Sequence, residues 1–494
     1  MTIIFKNHQF KYEIEATVKL FIPATSFEFV YDEKCSDSEV VFTEIRRGKS
    51  YNLFLVYVRK DGKVIRKATF IKNDKDISEE YILCRLVFEC LEELTGKTCE
   101  WGLLTGIRPV KKFNMLIEQG YSKSEIFGMM KDKYLISDKK AELAYLTAQT
   151  QLPLLRLPDK KKVGLYISIP FCPTRCSYCS FVSHSIESAK KLVPQYVEKL
   201  CEEIEITGKL IADTGISVDT VYIGGGTPTS LSAEQLGTVM KKLSESVDLS
   251  GIREYTVEAG RPDTITAEKL ETIKKLGADR ISVNPQTLNN DVLKAIGRNH
   301  SAEQIFEAYE MARKTGFKAI NMDLIAGLPT DTVESFRKTI DGVIALDPEN
   351  ITVHTLTLKR SSTLFPDGKS QIENPVSEMV DYAQEKLIEN GYLPYYLYRQ
   401  KNTVDNLENV GYSKRGYESL YNIFIMDEIQ TIIGVGCSAS TKLVTADGKI
   451  TRIHNYKFPY EYINRFDELM LKKSEIYNFF GYDSNENFIK VYKN

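Results

Sequence analysis

Residues Gly164 to Phe181 read GLYISIPFCPTRCSYCSF. Leu165, Tyr166, Ile167 and Ile169 make an apolar, β-rich run of the kind that forms a buried strand, and Pro170, with no amide hydrogen to give a sheet, ends it. Three thiols follow at once, Cys172, Cys176 and Cys179, spaced C-x3-C-x2-C with Tyr178 between the last two. Three thiolates on one loop can each bind a different iron of a four-iron cube, whereas clusters that only carry electrons are usually held by four cysteines. The next residues are Ser180 and Phe181, so no fourth cysteine is near and one iron is left open to a small ligand. That arrangement points to catalysis. Two other readings stay open on spacing alone: a zinc site with His184 as fourth ligand, or an accidental group of thiols in a reduced protein.

Composition sets the outer bounds. The 494 residues exceed one ordinary domain and can bury several cores. Hydrophobic residues make up 43% and charged residues 27%, the mixture of a soluble globular protein. A formal net charge of −2 offers no general grip on phosphate, so no nucleic-acid partner is expected. The first residues, MTIIFKNHQFKYEIEA, break every apolar run with charge and do not read as a signal peptide. No apolar run is long enough for a membrane span. Nine cysteines is an odd count, and six are scattered, which is a poor disulfide framework and fits a reducing, cytoplasmic location.

Before the thiols, LPLLRLPDKKK at 152–162 reads as a linker, and residues 1–151 as an N-terminal α+β domain. Alternating side chains (Phe10, Tyr12, Ile14 and Val18, then Tyr51 to Val58 and Val64 to Ile71) predict a small antiparallel sheet with a hairpin turn at Asp61-Gly62. Ile77 to Leu94 has a helical period, and Thr105-Gly106-Ile107-Arg108-Pro109 reads as a connector.

After the thiols the pattern repeats. Strands begin near Gly164, Thr220, Glu254, Arg280, Lys318 and Asn350, with helical stretches at about 187–212, 232–246, 266–276, 289–315 and 332–346 between them. Strand and helix in alternation make parallel units, and six of them make an α/β fold with an open or partial (β/α)6 barrel over residues 163–364. Chemistry in such barrels gathers at the C-terminal ends of the strands. The first strand ends at the cysteines, the second at Gly224-Gly225-Gly226-Thr227, and the third at Glu258. The fourth ends at Asn284, Pro285 and Gln286, the fifth carries Asp323 and the sixth His354. Residues 365–494, aromatic and basic around Tyr392, Tyr395, Tyr396, Tyr398 and Arg399, read as a C-terminal mixed α/β domain that covers the substrate.

Three successive glycines permit positive φ and close backbone approach to a ligand. They lack both the phosphate-loop ending and the G-x-G-x-x-G dinucleotide pattern, and a tight turn after a strand would also use them. Buried carboxylates such as Glu258 and Asp323 are costly alone. Their bland reading is structural pairing with Arg280 or Arg298.

YISIPFCPTRCSYCSF resembles the cluster loop of the radical S-adenosyl-L-methionine (SAM) superfamily. More narrowly it is similar to the oxygen-independent coproporphyrinogen III oxidase family, whose lead-in Y-x-H-I-P-F-C it matches except that Ser168 replaces the His; Phe181 stands where the type enzyme has an extra Cys. RISVNPQTLNNDVLKAIGRNH, NMDLIAGLP and TIIGVGCSAST (with Ser438 aligned) carry the resemblance over about residues 160–460, and LTGIRP in the N-terminal extension resembles the HemZ-like branch. The resemblance implies a radical SAM partial barrel with a [4Fe-4S] cluster on Cys172, Cys176 and Cys179. It implies that SAM is held by Gly224, Gly225, Gly226, Thr227, Glu258, Gln286, Arg298 and Asp323, although Asn284-Pro285 stands where the family has Gly-Val. It further implies that Tyr166, beside the cluster, lines the substrate position as a catalytic residue.

The implied reaction is oxidative decarboxylation of coproporphyrinogen III to protoporphyrinogen IX in haem (porphyrin) biosynthesis, fed by a low-potential donor such as flavodoxin or ferredoxin. Arg175, Arg261, Lys359, Arg360 and Arg399 are candidate propionate partners, arginine being suited to two-pronged carboxylate contacts. Two rivals share the scaffold: a haem-binding chaperone, and a radical SAM methyltransferase or haem-degrading enzyme.

Overall fold

The structure, a computed structural model, describes residues 1–22, 26–31, 37–73, 78–156, 159, 161–179, 184–357, 375–400 and 403–481. These fall into two compact units: Met1–Tyr145 with Arg399–Glu408, and the remainder.

In the first unit, β1 (Thr2–Lys6), β2 (Glu28–Tyr31), β3 (Val40–Arg47), β4 (Tyr51–Lys60) and β5 (Lys63–Lys72) form one sheet in the order β2-β1-β3-β4-β5. The hairpin between β4 and β5 turns on Asp61 and Gly62, both at positive φ (50° and 74°), a two-residue turn whose twist suits paired strands. The sheet is mixed rather than purely antiparallel, because β1 runs parallel to β2 and β3. The cause lies at residues 11–21, where alternation predicts a strand and the structure has a helix, Lys11–Phe21. Ile14, Val18 and Phe21 stack on its buried face, while Tyr12, which completed the apparent alternation, is 64% exposed. A parallel pairing needs a crossover of this length. With the helix Glu79–Thr95, capped by Ser78 and by left-handed Gly96, it covers a core that includes Val41, Phe54, Val56 and Val58.

The second unit is built on an 11-stranded sheet. Its centre starts with β6 (Lys162–Ile169). After a short pair, β7 (Phe171–Cys172) and β8 (His184–Ser185), come β9 (Ser217–Gly225), β10 (Glu254–Gly260), β11 (Arg280–Val283), β12 (Ala319–Ala326) and β13 (Asn350–Thr355). The strands β6, β9, β10, β11, β12 and β13 lie side by side in chain order, all parallel. Their nearly continuous burial is what helices on the intervening crossovers impose. Helices Val193–Asp213, Ala233–Ser246, Ala267–Lys275, Ala302–Thr315 and Val333–Leu346 return the chain. Four of them start at side-chain caps, Ser232, Thr266, Ser301 and Thr332. This is the expected α/β partial barrel.

Two features go beyond the sequence reading. The single helix expected over 289–315 is broken into Asn290–Ala295 and Ala302–Thr315, with Gly297 at φ 77° in the gap. The sheet also continues past both barrel edges: β14 (Leu393–Arg399) lies outside β15 (Glu408–Ser413), which runs antiparallel to β13. At the opposite edge β16 (Ile432–Val435) runs parallel to β6, followed by antiparallel β17 (Ser440–Val444) and β18 (Ile450–His454). Strands from the C-terminal residues thus extend the barrel's own sheet, which stays open. Among the described residues no helix is long and apolar enough to cross a membrane.

Candidate functional site

Where β6 stops at Pro170, the chain crosses the end of the sheet as β7 and enters the cysteine loop. The glycine turn after β9 is stitched to this crossing by backbone bonds: Gly226 N donates to Ile169 O and Thr227 N to Phe171 O, each at 2.7 Å. Thr227 Oγ1 then donates to Cys172 Sγ at 3.5 Å. The far side of the loop is pinned to the gap between the two broken helices, through Thr174 Oγ1 to Gly297 O (3.0 Å) and Ser177 N to Ile296 O (3.1 Å). The Cys176 sulfur accepts from Arg261 Nη1 at 3.6 Å. Among the described residues no three His, Cys, Asp or Glu side chains form a set for a metal ion. Thiolates that bind different irons of a cube stand farther apart than the ligands of a single ion. His184, the zinc alternative, lies edge-on to Phe458, and burial, then Arg175, lowers its basicity.

The three glycines form a cradle with no room for side chains. A Cβ on Gly226 would meet Phe171 O at 2.6 Å, and one on Gly225 (φ 111°) would meet Ser168 Oγ at 2.8 Å. A Cβ on Gly224 would meet Tyr222 and the Glu258 carboxylate at 2.8 and 2.9 Å. Tyr222 donates its hydroxyl to Glu258 Oε1. Burial pushes the Glu258 carboxyl up to about 7; the Tyr222 bond opposes this and the nearby Asp323 charge adds to it. Tyr166 stacks on Tyr222 and Tyr421, which stack on each other with ring centroids 4.4 Å apart. Burial, then the Glu258 charge, keeps the Tyr166 hydroxyl protonated well above its ordinary range.

Gln286 and Asp323 are neighbours across a backbone bridge: Gln286 N donates to Asp323 O at 2.9 Å, and Ile325 N returns to Gln286 O at 3.0 Å. Gln286 takes a left-handed φ of 68°, unusual for a side-chain residue and a sign that its position is constrained. Its Oε1 is buried without a hydrogen-bond partner among the described residues, as are Asn284 Oδ1 and Arg298 Nε. Arg298 reaches in from the helix gap to Asn284 O (2.6 Å) and Tyr178 OH (3.2 Å).

The bland pairing of carboxylates with arginines is not what forms. Glu258 is bonded by Tyr222 and Asp323 by Asn321 (2.7 Å), while Arg280 engages Asn350 and the Tyr417 carbonyl. Of the propionate candidates, Arg175 is exposed on the cysteine loop, and Arg261 is buried against Asp263, Thr174 and Cys176. Arg399 is buried in the first unit, where it donates to the Leu104 and Asn406 carbonyls and lies over Trp101, its donors spent on the fold. Lys359 and Arg360 lie outside the described residues, as do Ser180 and Phe181. His354 faces Tyr398 OH at 3.4 Å. The segment carrying Ser438 backs β6: Gly436 N donates to Glu203 and Cys437 N to Tyr196 OH, and Tyr196 OH donates to Ser168 O at 2.7 Å. Sequence reasoning passed over Tyr222, Tyr421, Asp263 and Glu203, and it named Arg261 only as a propionate partner, whereas the structure sets that guanidinium against Cys176 and Asp263. Only Tyr222, two residues before the glycines on a strand, offered a positional signal.

The model of the radical SAM superfamily matches residues 166–343. The oxygen-independent coproporphyrinogen-III oxidase-like protein HemZ of Bacillus subtilis (strain 168) is 45% identical over 386 residues, covering 76% of this chain and 77% of that protein. Heme chaperone HemW of the same organism is 35% identical over 268 residues, 52% of this chain and 65% of that protein. Among solved structures, coproporphyrinogen III oxidase HemN from Escherichia coli superposes with TM-score 0.51 at 24% identity, over 64% of this chain and 72% of that one, a likeness of fold. The superfamily's cofactors are a [4Fe-4S] cluster and SAM. The residues here fit both: three thiols on one loop, a side-chain-free cradle beside them, and, without a partner among the described residues, an amide oxygen at a strand end and a guanidinium nitrogen reaching in from the helix gap.

Proposed function

Because the chain belongs to the radical SAM superfamily, in the HemZ-like branch of the oxygen-independent coproporphyrinogen III oxidase family, we propose that it oxidatively decarboxylates propionate side chains of coproporphyrinogen III to vinyl groups, giving protoporphyrinogen IX. The observation that carries the reading is the cysteine loop lying against Gly224–Thr227, with Gln286 Oε1 and Arg298 Nε on adjoining elements and without partners among the described residues.

When bound, the reduced cluster and SAM supply one-electron cleavage of the sulfonium bond and a carbon radical able to abstract hydrogen. The protein's own residues do the rest. Cys172, Cys176 and Cys179 would each hold one iron of the cluster, with no fourth cysteine beside them among the described residues for the last iron. The backbone of Gly225 and Gly226 would admit the amino-acid end of bound SAM close to β6, where a side chain would collide with backbone carbonyls. Glu258, held by Tyr222, would accept from the ammonium of bound SAM, and Gln286, Asp323 and Arg298 would hold its other polar groups. Tyr166 and the rings stacked on it give the floor an apolar surface that excludes water from a radical. Each of the two propionates converted to vinyl loses CO2, one hydrogen atom and one electron. The electron passes to an external acceptor, and a low-potential flavodoxin or ferredoxin feeds the cluster. Residues 1–151, 152–162, 163–364 and 365–494 act in this proposal as accessory domain, linker, reaction barrel and substrate cover.

The HemW relatives favour a second reading, a haem carrier on the same scaffold. One experiment separates the two. Reconstituted protein with reductant, SAM and coproporphyrinogen III is expected to yield protoporphyrinogen IX and 5′-deoxyadenosine. Stoichiometric haem binding with untouched porphyrinogen would replace this reading with the carrier.

A further inference from the structure

We propose that Arg261 and Asp263 together set the reduction potential of the cluster, Arg261 by donating to the Cys176 sulfur and Asp263 by positioning that guanidinium and balancing its charge. The proposal rests on Cys172, Cys176 and Cys179 as the cluster ligands and goes beyond it. β10 ends at Gly260, whose φ of 52° turns the chain back across the sheet end, so that Arg261 comes to the cysteine loop from a different strand. Arg261 is only 3% exposed. Its Nε and Nη2 grip both oxygens of Asp263 at 3.0 and 2.9 Å, and Nη1 is left to donate to Thr174 Oγ1 at 3.2 Å and Cys176 Sγ at 3.6 Å. The turn does not need this fork, since backbone bonds from Thr264 N to Arg261 O and from Ile265 N to Pro262 O already close it. Burial pushes the Asp263 carboxyl up, but His300 and Arg261 outweigh that and hold it well below the usual carboxylate range. His300 Nδ1 stands 3.7 Å from Asp263 Oδ1.

The two side chains act with opposite signs. Reduction adds negative charge to the cluster and its sulfurs, so a hydrogen bond donated to a ligand sulfur stabilises the reduced state and raises the potential. Removing Arg261 deletes that bond and leaves the Asp263 carboxylate nearby without its guanidinium partner, which lowers the potential. Removing the Asp263 charge unmasks the guanidinium beside the sulfur, which raises it. A purely structural pair would not split in this way, because loss of either member would loosen the same loop.

The test is an EPR-monitored redox titration of anaerobically reconstituted protein without SAM, with iron and sulfide per chain measured on the same samples. Arg261→Gln is expected to keep its iron and to shift the reduction equilibrium at least tenfold toward the oxidised cluster, about 59 mV for a one-electron couple. Asp263→Asn is expected to shift it the other way. Shifts of the same sign, or none in iron-replete variants, overturn the proposal. Should Arg261→Gln lose its cluster, Arg261→Lys takes its place: a potential below wild type, with Asp263→Asn above it, supports the proposal. Loss of iron from all three variants marks a structural role and overturns it. Failure of the ligand reading itself looks different, since a Cys176→Ala protein would then retain full iron.

Discussion

At the scale of single residues, Glu258 holds a carboxylate inside the sheet end with Tyr222 as its donor and Asp323 as a neighbouring charge. Its carboxyl is pushed up to about 7 by burial first, whereas an unfolded glutamate titrates near 4.3. The folded state therefore binds this proton more tightly than the unfolded state. The associated stability is fully present below about pH 4.3 and is lost as pH rises through about 7, a change of up to about 4 kcal/mol. Urea unfolding of cofactor-free protein at about pH 5 and about pH 8 should show that loss in the wild type and much less of it in Glu258→Gln. Parallel pH profiles for the two proteins would remove Glu258 from this role. Gln286 illustrates what a single residue conceals: its strand-end position was readable, but its left-handed backbone and orphaned oxygen were not.

At the scale of elements, the glycine run after β9 meets the crossing from β6 with almost no clearance, and the neighbouring atoms differ in how far they can yield. Gly226 faces the backbone carbonyls of Phe171 and Ile169, held by the ladder itself, while Gly224 faces the movable side chains of Tyr222 and Glu258. Gly226→Ala should therefore cost about 1–3 kcal/mol in overpacking and weaken SAM binding sharply, with Gly224→Ala milder in stability. Thermal melts and SAM titrations of both variants check this, and equal destabilisation would contradict the backbone-against-side-chain distinction. The helix break at 296–301 is the other element-scale device. Its gap supplies both the anchor for the cysteine loop and the position of Arg298.

At the scale of the whole molecule, Arg399–Glu408 joins the first unit although it is distant in sequence from Met1–Tyr145. Glu408 is buried with Lys140, Oε1 accepting from Lys140 Nζ at 2.7 Å and Oε2 from Trp101 Nε1 at 2.6 Å. Breaking such a pair from one side strands a buried charge, at a cost of about 3–5 kcal/mol, whereas removing both partners is far less harmful. Lys140→Met and Glu408→Gln should each destabilise strongly, and the double variant should be less destabilised than the sum of the two. A double-mutant cycle by urea unfolding measures the coupling, and strict additivity would show the pair to be inert.

From the sequence alone came the parallel βα order, the cysteine spacing and the row of polar groups at successive strand ends, because those follow from local periodicity and from the rule that such sheets bind at their C-terminal side. It also held the Asp61-Gly62 hairpin, a purely local matter. The helix at 11–21 was misread because Phe10, Tyr12 and Ile14 fit period two, while the buried set Ile14, Val18 and Phe21 fits a helix; which face is covered is a tertiary outcome. The same holds for the partners of the buried charges. Nothing in the order of residues says that Glu258 takes Tyr222, that Arg261 turns to Cys176, or that Glu408 takes Lys140. A buried ionised or hydrogen-bonding group must find a partner, but only the packed chain brings one within about 3 Å, and that decided the electrostatics of the site.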